Sequence, residues 1–346
     1  MNILFSAIFA SCDSNLIESN VYDSEEKESR CDISIIETIP FPDSTNAYYR
    51  NSIEVVLSDT DPTANVTVST SETAVSGQLV REENTLIFEP EEPLLPSTQY
   101  EISVSYCGSE EPAQINFSTS DVGSPLNGGT TILEERSYMV DLSQGTVIEP
   151  LGIGDFLQTL LNNKFLIDVQ QVNPTQAFVR MALSKVNTTQ QNHCVPTIEE
   201  FPIVELEQEP YFTLSGTNIP IVIDEYQMLL YEFSTSGTIN PQATEFVEMD
   251  AYGLLDLREV FPILQDFNLN AETVDDFVTY LEEFSVEISS CSDGLNYCMT
   301  IVMSDLKALE IQQDVTAVCA PNCHTECMSQ SQTCDTPQEL NESCTE

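Results

Sequence analysis

Residues 85–106 read TLIFEPEEPLLPSTQYEISVSY, and this stretch decides the fold class of the first half of the chain. Leu86 and Phe88 recur at a period of two, the mark of a half-buried strand. Pro90, Pro93 and Pro96 then remove three backbone donors and exclude helix, so the chain crosses over in extended form. Tyr100, Ile102, Val104 and Tyr106 resume the alternation. A strand, a proline-punctuated crossing and a second strand predict a β-sandwich. They predict no chemistry.

Working outward from this stretch, short strand candidates fill residues 31–119: Ile33–Ile39, Ile53–Leu57, Val66–Ser69, Gly77–Val80, Leu86–Phe88, Tyr100–Tyr106 and Ile115–Ser118. Turn signals separate them at Pro40-Phe41-Pro42-Asp43, Asp59-Thr60-Asp61-Pro62 and Glu82-Glu83-Asn84. Short strands at such close spacing predict an Ig-like sandwich over residues 31–120. Cys31 and Cys107 stand just before the first strand and just after the sixth. A disulfide between them would close most of the domain, a contribution of about 4 kcal/mol in the chain-entropy account.

The same region resembles a known family. Ile39-Pro40-Phe41-Pro42-Asp43-Ser44-Thr45-Asn46, followed by Ser52-Ile53-Glu54-Val55-Val56-Leu57-Ser58, is similar to the opening of the bacterial Ig-like domain found beside S-layer proteins. Thr85–Pro90, Leu94, Pro96, Tyr100, Ile102-Ser103-Val104 and the closing Phe117-Ser118-Thr119 resemble its second half. The resemblance covers about a quarter of the chain; Ser44 stands where the family often has Gly. It implies a spacer, stalk or adhesive module of an exported protein, and no catalysis.

Residues 121–135 form a linker by composition, with Gly123, Pro125, Gly128 and Gly129 among small polar residues. Residues 136–318 read as an α+β domain. Its strand candidates are Tyr138–Leu142, Thr146–Ile148, Phe165–Val172, Ala177–Val186, Tyr211–Leu214, Ile221–Ile223, Gln227–Phe233, Phe246–Met249 and Cys298–Met303. Val274, Phe277, Val278, Leu281 and Phe284 predict a helix over Ala271–Phe284, capped by Asn270. Leu255–Phe267 is a second helical stretch, interrupted at Pro262, and Gly154–Asn163 a short third. These residues resemble no family. The chain is thus expected to be mainly β, an N-terminal Ig-like β-sandwich followed by an α+β domain.

The first residues, MNILFSAIFASC, contain an apolar run shorter than the roughly 20 residues that span a bilayer. They fit the apolar core of a secretory signal. Phe9-Ala10-Ser11-Cys12 resembles the lipobox of bacterial lipoproteins, with Phe9 where Leu is usual, and this resemblance makes Cys12 the acylated residue. An ordinary cleaved signal or a short buried strand are the alternatives. Residues 13–30 are acidic and aperiodic, a tether between an anchor and a first domain.

Ten Lys and Arg against 57 Asp and Glu give a net charge of −47. Such a surface repels nucleic acid, which is therefore not expected as a partner. Eleven cysteines are many for a reducing compartment and point to export. With Cys12 acylated, ten remain for pairing: Cys31–Cys107, the close pair Cys291–Cys298, and Cys194 with the five of the tail, residues 319–346. Zinc in that tail is disfavoured by its Cys-x3-Cys-x3-Cys spacing. Asp59-Thr60-Asp61, with Glu82-Glu83 and Glu89/Glu91/Glu92 nearby in sequence, is a candidate for calcium, but a merely solvated acidic face is the expected reading, and no metal is expected. Only His193 and His324 are present, and no nucleophile elbow, metalloprotease helix or phosphate loop occurs. No cofactor and no enzymatic activity are expected. The expected role is that of a surface lipoprotein held to the envelope membrane by its N-terminal lipid, structural or adhesive. The alternatives are a binding module for an envelope protein or glycan in residues 136–318, or a hydrolase with an acidic dyad there.

Overall fold

The computed structural model describes residues 32–318, apart from 109–110, 155–156, 158–163, 186–187, 194, 199–202, 224–225 and 266–270. The first unit holds seven strands: β1 (Ile35–Ile39), β2 (Ile53–Leu57), β3 (Asn65–Ser69), β4 (Gly77–Glu82), β5 (Thr85–Pro90), β6 (Gln99–Ser105) and β7 (Ala113–Ser118). They form two antiparallel sheets, ordered β1-β2-β5-β4 and β3-β6-β7. The period-two pattern sends Ile53, Val55, Leu57, Leu86 and Phe88 from one sheet into a core shared with Val66, Val68, Ile102, Val104 and Phe117 of the other. Tyr100 lies opposite Phe117 across the β6–β7 ladder, and their rings stack at 5.4 Å.

The proline-punctuated crossing carries the chain between the two sheets. Pro90 ends β5, and the chain enters β6 after Pro96 and Ser97, whose φ is 51°. Leu94, 4 % exposed, pins the crossing to the core. Its amide donates to the Tyr49 carbonyl at 2.8 Å, and the Leu95 amide donates to the Tyr100 hydroxyl at 2.7 Å.

The second unit is a β-barrel. Its strands are β8 (Ser137–Asp141), β9 (Thr146–Glu149), β10 (Lys164–Val172), β11 (Gln176–Leu183), β12 (Val204–Gln208), β13 (Tyr211–Ile223), β14 (Tyr226–Ile239), β15 (Glu245–Asp256), β16 (Ile288–Ser289) and β17 (Cys298–Ile311). Neighbours pair antiparallel in the order β8-β10-β11-β12-β13-β14-β15-β17, and β17 returns to β8, which closes the circuit. One edge of β17 serves β15. The other serves β16, β9 and β8 in turn along its length.

Closure requires long strands that bend. Register shifts interrupt the β13–β14, β14–β15 and β15–β17 ladders. Glu232, Glu248 and Asp305 take positive φ beside such shifts. Bulges of this kind tighten the local twist and turn a strand around a corner.

The helices α1 (Leu257–Gln265) and α2 (Val274–Glu283) attach beyond the end of β15. The α+β layout expected for this region is therefore corrected to a barrel that carries two accessory helices. Leu255 belongs to β15, and Pro262 lies within α1 rather than ending it. Thr273, not Asn270, caps α2. Its hydroxyl accepts from the Asp276 amide, and the Asp276 carboxylate accepts from the Thr273 amide, a reciprocal capping box. The expected strands Tyr211–Leu214 and Ile221–Ile223 are one strand, β13. Most of the helix expected over Gly154–Asn163 lies outside the described residues.

Candidate functional site

The barrel interior is an apolar enclosure. All eight strands of the circuit send side chains into it: Val140, Val169, Val179, Leu206, Leu214 and Thr235 are examples, with Ala251 and Leu306 completing the ring. Phe165, Phe212, Phe233 and Phe246 supply bulk, and Met181 and Met249 supply flexible thioethers. These side chains leave a cavity of about 60 Å³. An unfilled void of that size costs about 1.4 kcal/mol at roughly 24 cal/mol per Å³.

One end of the barrel is stoppered. A 3-10 turn at Thr130–Leu133 inserts Leu133 into the lumen, and the Thr130 hydroxyl donates to the Asn173 carbonyl at 3.1 Å. Tyr138, fully buried, donates its hydroxyl to the Ala243 carbonyl at 2.7 Å, and its ring stacks on Phe246 at 4.4 Å. Burial pushes the Tyr138 hydroxyl well above the ordinary tyrosine range.

The first unit docks on this stoppered end through Tyr48-Tyr49-Arg50. Tyr48 shares a 2.6 Å hydrogen bond with the Thr238 hydroxyl, which has no solvent exposure. Burial pushes the Tyr48 hydroxyl up, against a smaller opposing effect of that hydrogen bond. The Arg50 guanidinium lies 3.8 Å from the centre of the Tyr211 ring, a cation–π contact. The linker is stitched to the same end. The Leu126 amide donates to Glu209 at 2.6 Å, and the Asn127 amide to the Pro241 carbonyl at 2.8 Å. Gly123 is required here: its φ is 103°, and a Cβ would lie 2.7 Å from the Tyr49 ring.

At the other end, the Cys291–Cys298 disulfide closes the hairpin that leads into β17. Arg258 grips this hairpin between Asp256 and Asp293, each at 2.6 Å. Glu259 ties α1 to β14 by accepting from the Leu229 amide at 3.0 Å and from the Tyr231 hydroxyl. That hydrogen bond, more than burial, pushes the Tyr231 hydroxyl up to about 12.

The residues singled out by sequence are not gathered into one site. Cys291 and Cys298 are bonded to each other as expected, and Cys107 is also disulfide-bonded. Cys12, Cys31, Cys194 and the tail, with His324, lie outside the described residues. Among the described residues, the one group of metal-ligand side chains within reach of each other is Asp256, Cys291 and Cys298. Two of these three are already joined as a disulfide and offer no thiolate. Asp61 serves the backbone: it accepts from the Thr63 amide at 2.8 Å and from the Cys107 amide at 2.6 Å. The Cys107 hydrogen bond leads in holding its carboxyl below the ordinary range. Asp59 accepts from the Thr60 amide at 2.8 Å. The Asp59–Asp61 loop is thus accounted for by its own turn geometry.

Sequence reasoning missed both the lumen and the docking seam. The seam had one signal: three large side chains in a row, ending in one of only ten cations of the chain. The lumen had only the alternation within strands, which bulges interrupt.

No known family model matches the chain, and no curated protein is similar to it. Among solved structures, an L,D-transpeptidase from Mycobacterium smegmatis aligns with 58 % of this chain and 75 % of its own, at 11 % identity and a TM-score of 0.21. A cycloalternan-forming enzyme from Listeria monocytogenes, in complex with a pentasaccharide substrate, aligns with 64 % of this chain and 21 % of its own, at 8 % identity and a TM-score of 0.15. Likenesses this weak carry no argument about fold or activity. Among the described residues, no helix is long and apolar enough to cross a membrane.

Proposed function

We propose that this chain is an exported envelope protein, anchored by lipid at Cys12, in which an Ig-like spacer holds a β-barrel in a fixed pose. The observation that carries this reading is the state of the described cysteines: Cys107, Cys291 and Cys298 are all in disulfides, which persist in oxidising compartments. The two-sheet arrangement of the first unit supports the Ig-like spacer. So does the Tyr100 hydroxyl, which takes the amide of Leu95 five residues upstream, as the tyrosine corner of such sandwiches does. The seam at Tyr48–Arg50 supports a fixed pose. The role is structural display.

Trapping free thiols with an alkylating agent at the moment of lysis tests the export. Cys107, Cys291 and Cys298 are expected to stay unlabelled until reductant is added. Extensive labelling before reduction would refute it. A second reading, that residues 136–318 are a binding module, is favoured by the cavity in the barrel. The apolar character of that lumen suits neither a glycan nor a polar peptide.

A further inference from the structure

We propose that the barrel lumen binds a hydrocarbon group, the alkyl chain of a small amphiphile. The proposal stands on the cavity alone and is independent of where the protein resides. The side chains that face the cavity are apolar except Thr235. Thr235 has already committed its hydroxyl, which donates to the Asp250 carbonyl at 2.7 Å. A water molecule there would find at most one hydrogen-bond partner, the acceptor side of the Thr235 oxygen, fewer than a buried water needs, although the 60 Å³ would accommodate one. The cavity is therefore dry, and the ligand it fits has no polar group at its inner end.

The lining is also able to adapt. Met181 and Met249 line the lumen from β11 and β15, and unbranched thioether side chains repack around an inserted chain at small cost. The turn at Leu133 and the docked first unit close one end. Among the described residues, β12 pairs to β11 at Gln176↔Glu205 and Ala177↔Val204, and to β13 at Glu205↔Thr213 and Gln208↔Tyr211. Val204 and Leu206 of this short strand line the cavity directly.

The test uses the full chain with 13C-methyl methionine and two probes, 1-hexanol and 1,6-hexanediol. Addition of 1-hexanol should shift the Met181 and Met249 methyl signals in a saturable way. Met139, which packs in a separate cluster with Leu166 and Val315, should not move. The diol should bind at least tenfold more weakly, because its second hydroxyl would be buried with at most that one partner. Filling the lumen with Ala251→Leu should weaken 1-hexanol binding at least tenfold. Ala177→Leu, from a different wall, gives the same reading if the first variant does not fold, and the dispersion of the methyl spectrum reports folding in each. No saturable shift at Met181 and Met249 overturns the proposal. Equal affinity for the diol, or undiminished binding in the folded filled variants, does so too.

Discussion

The two units of this chain are both antiparallel β, yet they solve the problem of the sheet edge and the core differently. The first keeps short strands, leaves two open sheets and buries the side chains between them: Ile53, Val55, Ala64, Ile102 and Val104 have no solvent exposure. The second uses strands of up to 14 residues, closes them on one another and leaves a void at the centre. Face-to-face sheets can approach until their side chains interdigitate. A closed eight-stranded barrel has its radius set by strand number and stagger, so side chains must fill whatever space that radius leaves. Packing in the first unit is thus adjustable, whereas in the second it is imposed.

This contrast is sharpest when one methyl is enlarged in each core. Ala64→Leu adds bulk at a side chain with no solvent exposure and should destabilise the first unit by about 1–3 kcal/mol. Ala251→Leu adds the same bulk toward the cavity and should leave the barrel as stable as the wild type or slightly more so. Denaturant unfolding of both variants measures this. Equal losses would mean that the two cores are equally full.

A smaller effect is expected where the units meet. Tyr48→Phe removes the hydroxyl that bonds Thr238, leaves the buried Thr238 hydroxyl with one partner fewer, and should cost about 1 kcal/mol. The loss should appear as a separation of the unfolding transitions of the two units, read by calorimetry. An unchanged single transition would show that Arg50 and the linker alone hold the seam.

The smallest effect distinguishes the units by pH. In the barrel, burial foremost, then the charge of Asp305, raises the carboxyl groups of Glu248 and Asp250, and burial also raises Asp168. A carboxyl raised on folding binds its proton more tightly in the native state. Its contribution is complete below the unfolded value, roughly pH 4, and fades as the pH climbs through the raised folded value. Asp61 of the first unit is lowered, so its contribution is present above roughly pH 4 and is lost below it. Acidification from pH 7 to about 5 should therefore raise the melting temperature of the barrel more than that of the first unit. Below roughly pH 4 the first unit should weaken, as should the barrel through the lowered Asp276 and Asp293. Parallel shifts of both units down to pH 5 would refute the assignment.

How far each unit could be read from its residues follows from the same contrast. In the first unit every expected strand is found within a few residues of its expected bounds, because short strands with one buried face write their alternation directly into the sequence. The 3-10 stopper at Leu133 and the short strand β12 left no such mark. Neither has a periodic pattern, since each is held by what it touches across the barrel rather than by its own neighbours. In β14 and β15 the alternation breaks at Glu232 and Glu248, where bulges shift the face by one residue. A reading by period two stops at such breaks and divides strands of 12–14 residues into shorter pieces.

The amino-acid sequence by itself determined the mainly β character, the seven strands of the first unit, the proline-marked crossing, the Cys291–Cys298 bridge and the strongly acidic surface. These follow from spacing along one strand or loop, where the relevant neighbours are also neighbours in the chain. Only the tertiary structure decided that β17 returns to β8, that Tyr48 meets Thr238, and that apolar side chains from eight strands surround one empty space. Such features depend on the radius and register of the closed sheet, and those arise when residues more than a hundred positions apart come into contact.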